Sequence, residues 1–450
     1  MATPIIKSDT IVALATPPGR GAISIVRISG QDVQQIGSLI MGQLPAPRYA
    51  SLRRLKDGNG VAFDQAIVIY YEAPNTYTGE DLLEIQTHGG EAVVSILLSQ
   101  LIAAGARLAE PGEFSKRAFL NEKIDLLQAE AVADLISASS ERAARSAYSA
   151  LSGKFSDEVE AINKQLKHLR TEIEAHIDFP EEEIPLASLQ NWREVVAEIG
   201  KDLQTLLSAA NKGAKLNHGI DIAIIGPPNA GKSTLLNAFA GADKAITSDI
   251  PGTTRDVVSV DVVFGGVNLR FHDTAGLRER TSDAIEEEGI KRTINLIESV
   301  DLCLLLEDST GAEKTRVSSL MDSIEAETIE VCNKIDLCGQ SHRIEQSDTA
   351  TVCYLSAKTG EGVENLLTLL IKKLALNVED ESPFLARDRH LMNLREAQQY
   401  LGNNFDDGQF EIELVAEKLR IAQTAIGRLL GEYTSEDLLG DIFSTFCIGK

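Results

Sequence analysis

The chain lacks the features that would carry it through or across a membrane. No apolar run approaches the ~20 residues of a bilayer-spanning helix. Its first residues have no basic region followed by an apolar core, so no secretory leader is expected. Cysteine is scarce and odd in number. Cys303, Cys332, Cys338, Cys353 and Cys447 show no metal-ligand spacing. Cys303, Cys332 and Cys353 fall in apolar strand-like runs and are expected as inert core thiols, which fits a reducing cytoplasm. Internal repeats and low-complexity tracts are absent. Positive charge is also short: 43 Lys and Arg stand against 67 Asp and Glu, a net charge of −24. That excludes a chain gripping nucleic acid over a broad basic face. The imbalance is uneven, near −2 over residues 1–125 and −10 over residues 217–376. A chain of this charge that acts on RNA needs a partner to supply much of the phosphate-binding surface. What is present in quantity is apolar material: 43% of 450 residues, ample for two to four packed domains.

The chain is organised around Gly226-Pro227-Pro228-Asn229-Ala230-Gly231-Lys232-Ser233. An apolar run, Ile222–Ile225, precedes it and reads as a buried parallel strand. Thr234–Phe239 follows as the first turns of a helix. Strand, glycine loop, Lys-Ser and helix form a phosphate-binding loop in its required context. The two glycines let successive N–H groups turn toward phosphate oxygens, and the helix N-terminus adds partial positive charge. Lys232 is placed to reach the β- and γ-phosphates, and the Ser233 hydroxyl to hold Mg²⁺.

Three later motifs select the base and the reaction. Asp273-Thr274-Ala275-Gly276 follows a strand over Val267–His272, with its Asp placed for the Mg²⁺ shell and Gly276 for the γ-phosphate. Asn333-Lys334-Ile335-Asp336 ends the run Thr328–Cys332. A carboxylate there accepts two hydrogen bonds from guanine that adenine cannot supply. Ser356-Ala357-Lys358 follows Val352–Leu355 and backs the base. Each is weak alone; in this order, each at a strand end, they specify a guanine-nucleotide domain.

Asp249-Ile250-Pro251-Gly252-Thr253-Thr254-Arg255-Asp256 is a candidate first switch, in which one threonine hydroxyl can complete the Mg²⁺ shell. Leu277 follows Gly276 where a Ras-like protein uses Gln to orient water, so another group must do so. Asp283, Glu286, Glu287 and Glu288 lie nearby, either as an exposed helix turn or as a source of a catalytic carboxylate. The Asn229 side-chain oxygen can ligate a monovalent cation beside the phosphates.

Residues 1–118 read as a separate α/β domain, with strands at Thr10–Leu14, Ala22–Ile28, Ala66–Tyr70 and Leu82–Gln86 and a helix from Glu91 to Ala104. His88-Gly89-Gly90 before that helix reads as a cap or turn. Residues 119–216 read as helical, with Asn121–Ile177 as one or two long helices. Phe179–Pro185 breaks them, its Glu run a solvated linker. The nucleotide domain occupies 217–378, and helices return over 379–450, at Pro383–Leu401, Ile412–Leu430 and Ser435–Phe443. The fold class is thus multidomain α/β plus all-α, with a Ras-like P-loop domain inserted in a discontinuous helical domain.

The chain resembles the MnmE (TrmE) family of tRNA modification GTPases over nearly its whole length. The resemblance rests on Ala15–Gly21, Gly79-Glu80-Asp81 with His88-Gly89-Gly90, Pro111–Leu126, the nucleotide motifs, and the terminal Phe446-Cys447-Ile448-Gly449-Lys450. It implies a cytoplasmic homodimer formed through an N-terminal domain of folate-binding type. It implies a flavoprotein partner, MnmG, in a heterotetramer that modifies carbon 5 of the wobble uridine of certain tRNAs, with no membrane. The one-carbon source is 5-formyltetrahydrofolate, held by Arg27, Glu84, Lys123 and Lys450. GTP hydrolysis is activated by K⁺ bound to Asn229, Ser248, Ile250 and Thr253. Ser233 and Thr254 hold Mg²⁺; Glu286 orients water, with Lys232 and Thr254 completing the catalytic set. GTP contacts run over Asn229, Ala230, Gly231, Lys232, Ser233 and Thr234, then Ser248, Asp249, Ile250, Pro251, Gly252, Thr253 and Thr254. They continue through Asp273, Thr274, Ala275 and Gly276, Asn333, Lys334 and Asp336, and Ser356, Ala357 and Lys358. The competing readings are a ribosome-assembly or regulatory GTPase switch, and a folate enzyme whose GTPase only regulates.

Overall fold

The computed structural model describes residues 9–178, 186–241, 259–273, 300–310, 327–347, 350–373, 384–401, 412–433 and 435–449. The chain divides into two compact units, residues 1–133, 151–202 and 393–450 in one and residues 134–150 and 203–392 in the other. The described helices are α1 (Val33–Met41), α2 (Glu91–Ala103), α3 (Glu113–Leu120), α4 (Leu126–Ser137), α5 (Glu141–Leu151), α6 (Lys154–Asp178) and α7 (Leu186–His218). They continue as α8 (Lys232–Ala240), α9 (Ile335–Cys338), α10 (Val363–Lys373), α11 (Asp388–Leu401), α12 (Ile412–Leu430) and α13 (Glu436–Ser444).

The first unit contains a sheet of β1 (Ile11–Leu14), β2 (Ile23–Ser29), β3 (Ser51–Lys56), β4 (Ala62–Tyr71), β5 (Leu82–His88) and β6 (Arg107–Leu108), in the order β3-β4-β5-β2-β1-β6. Its pairs are antiparallel except β1 with β6. Alternation along the strands sends Val26, Ile28, Val68, Tyr70, Leu83 and Ile85 into one core with residues of α1 and α2. On the opposite face Phe114 of α3 packs with Ile11 and Ala13 of β1. The rest of that face, on β2, β4 and β5, is half-buried or exposed among the described residues, apart from the buried register pair Ser29 and Leu82.

The stretch expected as one or two long helices is three, α4 to α6, and local chemistry explains each break. Asp125 and Gln128 form a reciprocal capping box at the start of α4, at 2.8 and 3.0 Å. The Ser140 hydroxyl accepts the Ala143 N–H at 3.1 Å ahead of α5. Gly153, at φ +97°, turns the chain into α6 in a conformation that suits glycine. In the same unit α6 buries Phe155, Val159, Ile162, Leu166, Leu169 and Ile173 at helical spacing and packs against α12. Arg170 donates to Gln423 across that contact at 2.6 Å. Ser435 caps α13 by accepting the Leu438 N–H. The stretch Phe179–Pro185 lies outside the described residues.

The second unit is a P-loop α/β fold. Its sheet comprises β7 (Ile220–Ile225), β8 (Ser259–Phe264), β9 (Val267–Asp273), β10 (Leu302–Asp308), β11 (Glu327–Asn333), β12 (Arg343–Gln346) and β13 (Thr351–Tyr354). The order is β12-β13-β11-β10-β7-β9-β8. The five inner strands are parallel, and the edge strands β12 and β8 pair antiparallel. The central strands β7 and β10 are near-continuous apolar runs because both of their faces are buried. Phe239 of α8 stacks on Phe271 of β9 with centroids 4.3 Å apart. Cys303 and Cys353 are buried, as expected of core thiols, and burial pushes both thiols up to about 11. No described helix is long and apolar enough to cross a membrane.

Candidate functional site

The loops that leave the C-terminal ends of the parallel strands converge, as ligand sites on open α/β sheets do. After β7 the chain passes so close to β10 that a Cβ on Gly226 would lie 2.3 Å from the Leu306 carbonyl oxygen. Asn229 takes a left-handed conformation, φ 63°. Gly231 follows at φ +98° as the N-cap of α8, and a Cβ there would meet Asn333 Nδ2 at 2.3 Å. The backbone therefore curls tightly enough to direct N–H groups inward. Lys232 is buried, and its ammonium donates to the carbonyls of Gly226 and Pro227 at 2.8 and 3.1 Å, which holds the charge over the loop. Ser233 and Thr234 are exposed in the first turn of α8. Asp273 ends β9, and its register partner is Ile224, two residues before the loop.

The base-reading end is tied to this loop by Asn333. Its Nδ2 donates to the Ala230 carbonyl at 2.9 Å. Its Oδ1 accepts the N–H groups of Lys334 and Ala357 at 2.8 and 2.9 Å. One buried amide thereby joins the phosphate loop, the Asn333–Asp336 motif and the Ser356–Lys358 motif. Asp336 accepts the Ser356 hydroxyl at 2.7 Å, which orients its carboxylate. Lys334, at φ 68°, pairs with Asp308 at 2.6 Å. The Lys334 and Thr310 hydrogen bonds hold the Asp308 carboxyl down at about 2. Asp308 was absent from the sequence reading. Its signal was position: it ends the apolar run of β10, in register with Asn333.

A hydroxyl and a carboxylate at the loop mouth are hard oxygen donors of the kind Mg²⁺ takes, so Ser233 and Asp273 fit that ion and its water shell. Asn229 offers an amide oxygen suited to K⁺. Ser248, Asp249, Ile250, Pro251, Gly252, Thr253, Thr254, Thr274, Ala275, Gly276, Glu286, Glu287 and Lys450 lie outside the described residues.

A second cluster forms in the first unit. Arg27 and Glu84 are register partners on β2 and β5. The Arg27 guanidinium donates to Glu84 Oε1 through Nε and Nη2, at 3.1 and 2.8 Å. It lies 5.7 and 5.8 Å from the ring centroids of Tyr77 and Phe114. Its Nη1 reaches the Gly449 carbonyl at 3.4 Å, across 422 residues of sequence. The chain end is seated there by Gly449, at φ +91°, where a Cβ would approach the Leu14 carbonyl oxygen to 2.5 Å. Burial and the neighbouring Glu84 carboxylate push the Tyr71 phenol up. Lys123 packs its stem on Gly79. His88 proves to be neither a cap nor a turn residue. It ends β5, and its Nδ1 bonds Asp64 at 2.7 Å, while Gly90 caps α2 without a side chain.

Both ends of the chain match known domain families. Residues 10–123 match the N-terminal domain of the GTP-binding protein TrmE, and residues 126–447 match the MnmE helical domain, a span that encloses the phosphate loop. The tRNA modification GTPase MnmE of Nitrosomonas eutropha is 48% identical over 98% of this chain and 99% of its own length. That of Nitrosomonas europaea is 46% identical over 98% and 99%, and that of Erwinia tasmaniensis 45% over 98% and 99%. With these matches and the guanine-nucleotide constellation around Asn333, the chain belongs to the MnmE family of tRNA modification GTPases and is a GTP hydrolase of tRNA modification.

Proposed function

We propose that this chain is a K⁺-activated, Mg²⁺-dependent GTPase that works with the flavoprotein MnmG in the cytoplasm. Together they modify carbon 5 of the wobble uridine of certain tRNAs with a one-carbon unit from 5-formyltetrahydrofolate. The domain bounds proposed for it are 1–118, 119–216, 217–378 and 379–450. Arg27, Glu84, Lys123 and Lys450 hold the folate; Asn229, Ser248, Ile250 and Thr253 hold K⁺; Ser233 and Thr254 hold Mg²⁺; and Glu286 orients the attacking water.

The observation that carries the folate reading is the convergence of Arg27, Glu84 and the Gly449 carbonyl. A carboxylate fixed by an arginine, beside two aromatic rings, is chemistry suited to a flat, nitrogen-rich ring with adjacent N–H donors. The chain end, one residue before Lys450, meets the same guanidinium. The exposed Leu52, Ile67 and Ile23 on the uncovered sheet face support the homodimer, because an apolar face of this kind suits a second copy. The charge of −24 supports a partner that supplies cationic surface for tRNA. Nucleoside analysis of tRNA from a strain lacking the gene tests the reading. Wobble uridines should lose their carbon-5 substituent, and unchanged wobble nucleosides would dismiss it.

A further inference from the structure

Lys334 is held at both ends. Its backbone sits at φ 68°, a left-handed conformation that residues other than glycine keep only where their surroundings enforce it. Three hydrogen bonds do so. The Lys334 N–H donates to Asn333 Oδ1 at 2.8 Å. The Lys334 carbonyl accepts the Leu337 N–H at 3.0 Å, and the Asn333 carbonyl accepts the Ser309 N–H at 2.9 Å. At the far end the ammonium meets Asp308 Oδ2 at 2.6 Å. Asp308 is itself fixed. It is the register partner of Asn333 on the neighbouring strand, and its Oδ1 accepts both the N–H and the hydroxyl of Thr310, at 2.9 and 2.7 Å. The Lys334 bond first, and then those from Thr310, keep the carboxyl at about 2, so it stays ionised at every pH near neutrality.

With its cation committed to Asp308, Lys334 has little charge to offer a nucleotide. Charge over the phosphate loop comes from Lys232. What remains of Lys334 is a four-carbon stem, stretched between its backbone and Asp308, and a lysine stem is apolar surface. The stem stands in sequence between two groups of the site. Asn333 is tied to the phosphate loop through the Ala230 carbonyl, and Asp336 is oriented by Ser356 to read the base edge. A nucleotide that reaches from one to the other carries its base past this stem. A free lysine loses rotamer freedom when a ring settles on it. Held by Asp308, the stem has lost that freedom before the nucleotide arrives.

We propose that Asp308 is a positioning residue for guanine nucleotides: by holding the Lys334 ammonium aside, it sets the lysine stem as a preformed wall for the flat face of the base. Thr310 supports it by occupying the second carboxylate oxygen. Asp336 and Asp308 then divide recognition between them. Asp336 reads the edge of the ring and decides which base is taken. Asp308 acts through Lys334 on the face of the ring and sets how long a purine with an acceptable edge stays bound. No covalent bond is made or broken in this step.

The test titrates the full-length protein with GDP and with inosine diphosphate, which keeps the ring face but lacks the exocyclic amino group. Asp308→Asn keeps the shape of the side chain and removes the charge that holds Lys334. Lys334→Met keeps an apolar stem and removes the ammonium. Both side chains are partly exposed, 27% and 28%, so neither change should disturb the fold, as a melting curve would verify. Each variant should lower the affinity for both nucleotides by the same factor, about three- to fivefold, the range of a partly exposed ion pair. The change should lie in faster dissociation. The double variant should bind no more weakly than either single one, because Asp308 acts only through the ammonium. Unchanged GDP affinity in either single variant overturns the proposal. A further loss in the double variant also overturns it, since Asp308 would then be a structural residue of its own loop. A shifted ratio of GDP to inosine diphosphate affinity does the same, by moving its action to the base edge.

Discussion

Asn333 donates to the carbonyl of Ala230 at 2.9 Å, and this single hydrogen bond joins the part of the site that reads the base to the part that cradles the phosphates. Gly231 next door must be glycine for the same reason, since a Cβ would occupy the space of the Asn333 amide. Base recognition and phosphate binding are therefore one structural unit. Disturbing Asn333 should weaken every nucleotide, whereas disturbing Asp336 should change only the choice of base.

That choice is the first prediction. Asp336→Asn should weaken GTP binding at least about tenfold, from the loss of a charged hydrogen-bond acceptor worth about 1.5–3 kcal/mol. Affinity for xanthosine triphosphate should rise, because an amide can donate to the xanthine oxygen. Nucleotide titration of both proteins checks this, and an unaltered GTP affinity would dismiss the assignment.

The second prediction concerns the N-terminal domain. Arg117, 9% exposed at its side chain, bonds Asp9 at 2.9 Å, Glu80 at 3.0 Å and Glu113 at 3.0 Å, and Arg107 bonds both Asp9 and Glu113. Arg117→Ala removes one of the two guanidiniums that serve this carboxylate cluster, the one bonded to Glu80, while Arg107 stays on Asp9 and Glu113, and should destabilise the domain by about 3 kcal/mol. The Arg107 hydrogen bond holds Asp9 below its ordinary 3.8. Burial pushes Glu113 up, but the bonds from Arg107, the Glu110 N–H and Arg117 outweigh it and hold it below 4.5. Both carboxyls are depressed in the folded state, so their contribution is complete above 4.5 and is lost as pH falls through the lowered folded values. Urea unfolding from pH 7 downward should show a decline beginning below about pH 4.5, smaller in Arg117→Ala.

Most of the nucleotide fold is legible because its strands carry apolar runs, buried throughout at Ile222–Ile225 and at alternate residues over Val352–Leu355. The strands the sequence hid are those with little burial. Ser51–Lys56 buries only Leu55, and Arg343–Gln346 is exposed throughout, so neither carries an apolar pattern. The helical stretch kept its period across Ser140 and Gly153, and only the caps betray its breaks. The linkages within the sites were illegible for another reason. Arg27 with Glu84, Asp64 with His88 and Asn333 with Ala230 are separated by 57, 24 and 103 residues, and only strand pairing brings them together.

The third prediction follows from Arg27. Arg27→Ala or removal of Lys450 should weaken 5-formyltetrahydrofolate binding by about 1.5–3 kcal/mol and leave GTP affinity untouched. Arg27 also anchors Glu84 and the Gly449 carbonyl, so its loss should cost more than that of Lys450. Calorimetry on both variants decides, and undiminished folate affinity in both would end the assignment.

The last prediction concerns hydrolysis. Leu277 cannot orient water, so the rate must come from other groups. Asn229 sits in the phosphate loop with a left-handed backbone, φ 63°, a conformation that asparagine tolerates better than most side chains. A K⁺ ion there would add positive charge beside the β- and γ-phosphates, where charge develops in the transition state. Na⁺ has a smaller radius and a tighter water shell, and should fill the same oxygen donors poorly. Exchange of K⁺ for Na⁺ should therefore lower the single-turnover rate about 10²-fold while GTP affinity stays nearly constant, and Asn229→Ala should remove the difference between the two salts. Glu286→Ala should lower the rate by a similar factor in K⁺ yet keep the K⁺-dependent pairing of nucleotide domains, measured with a transition-state mimic. If Glu287→Ala silences turnover and Glu286→Ala does not, the water-orienting carboxylate is the neighbouring one. Equal rates in the two salts, with neither glutamate needed, would require a different source of catalysis.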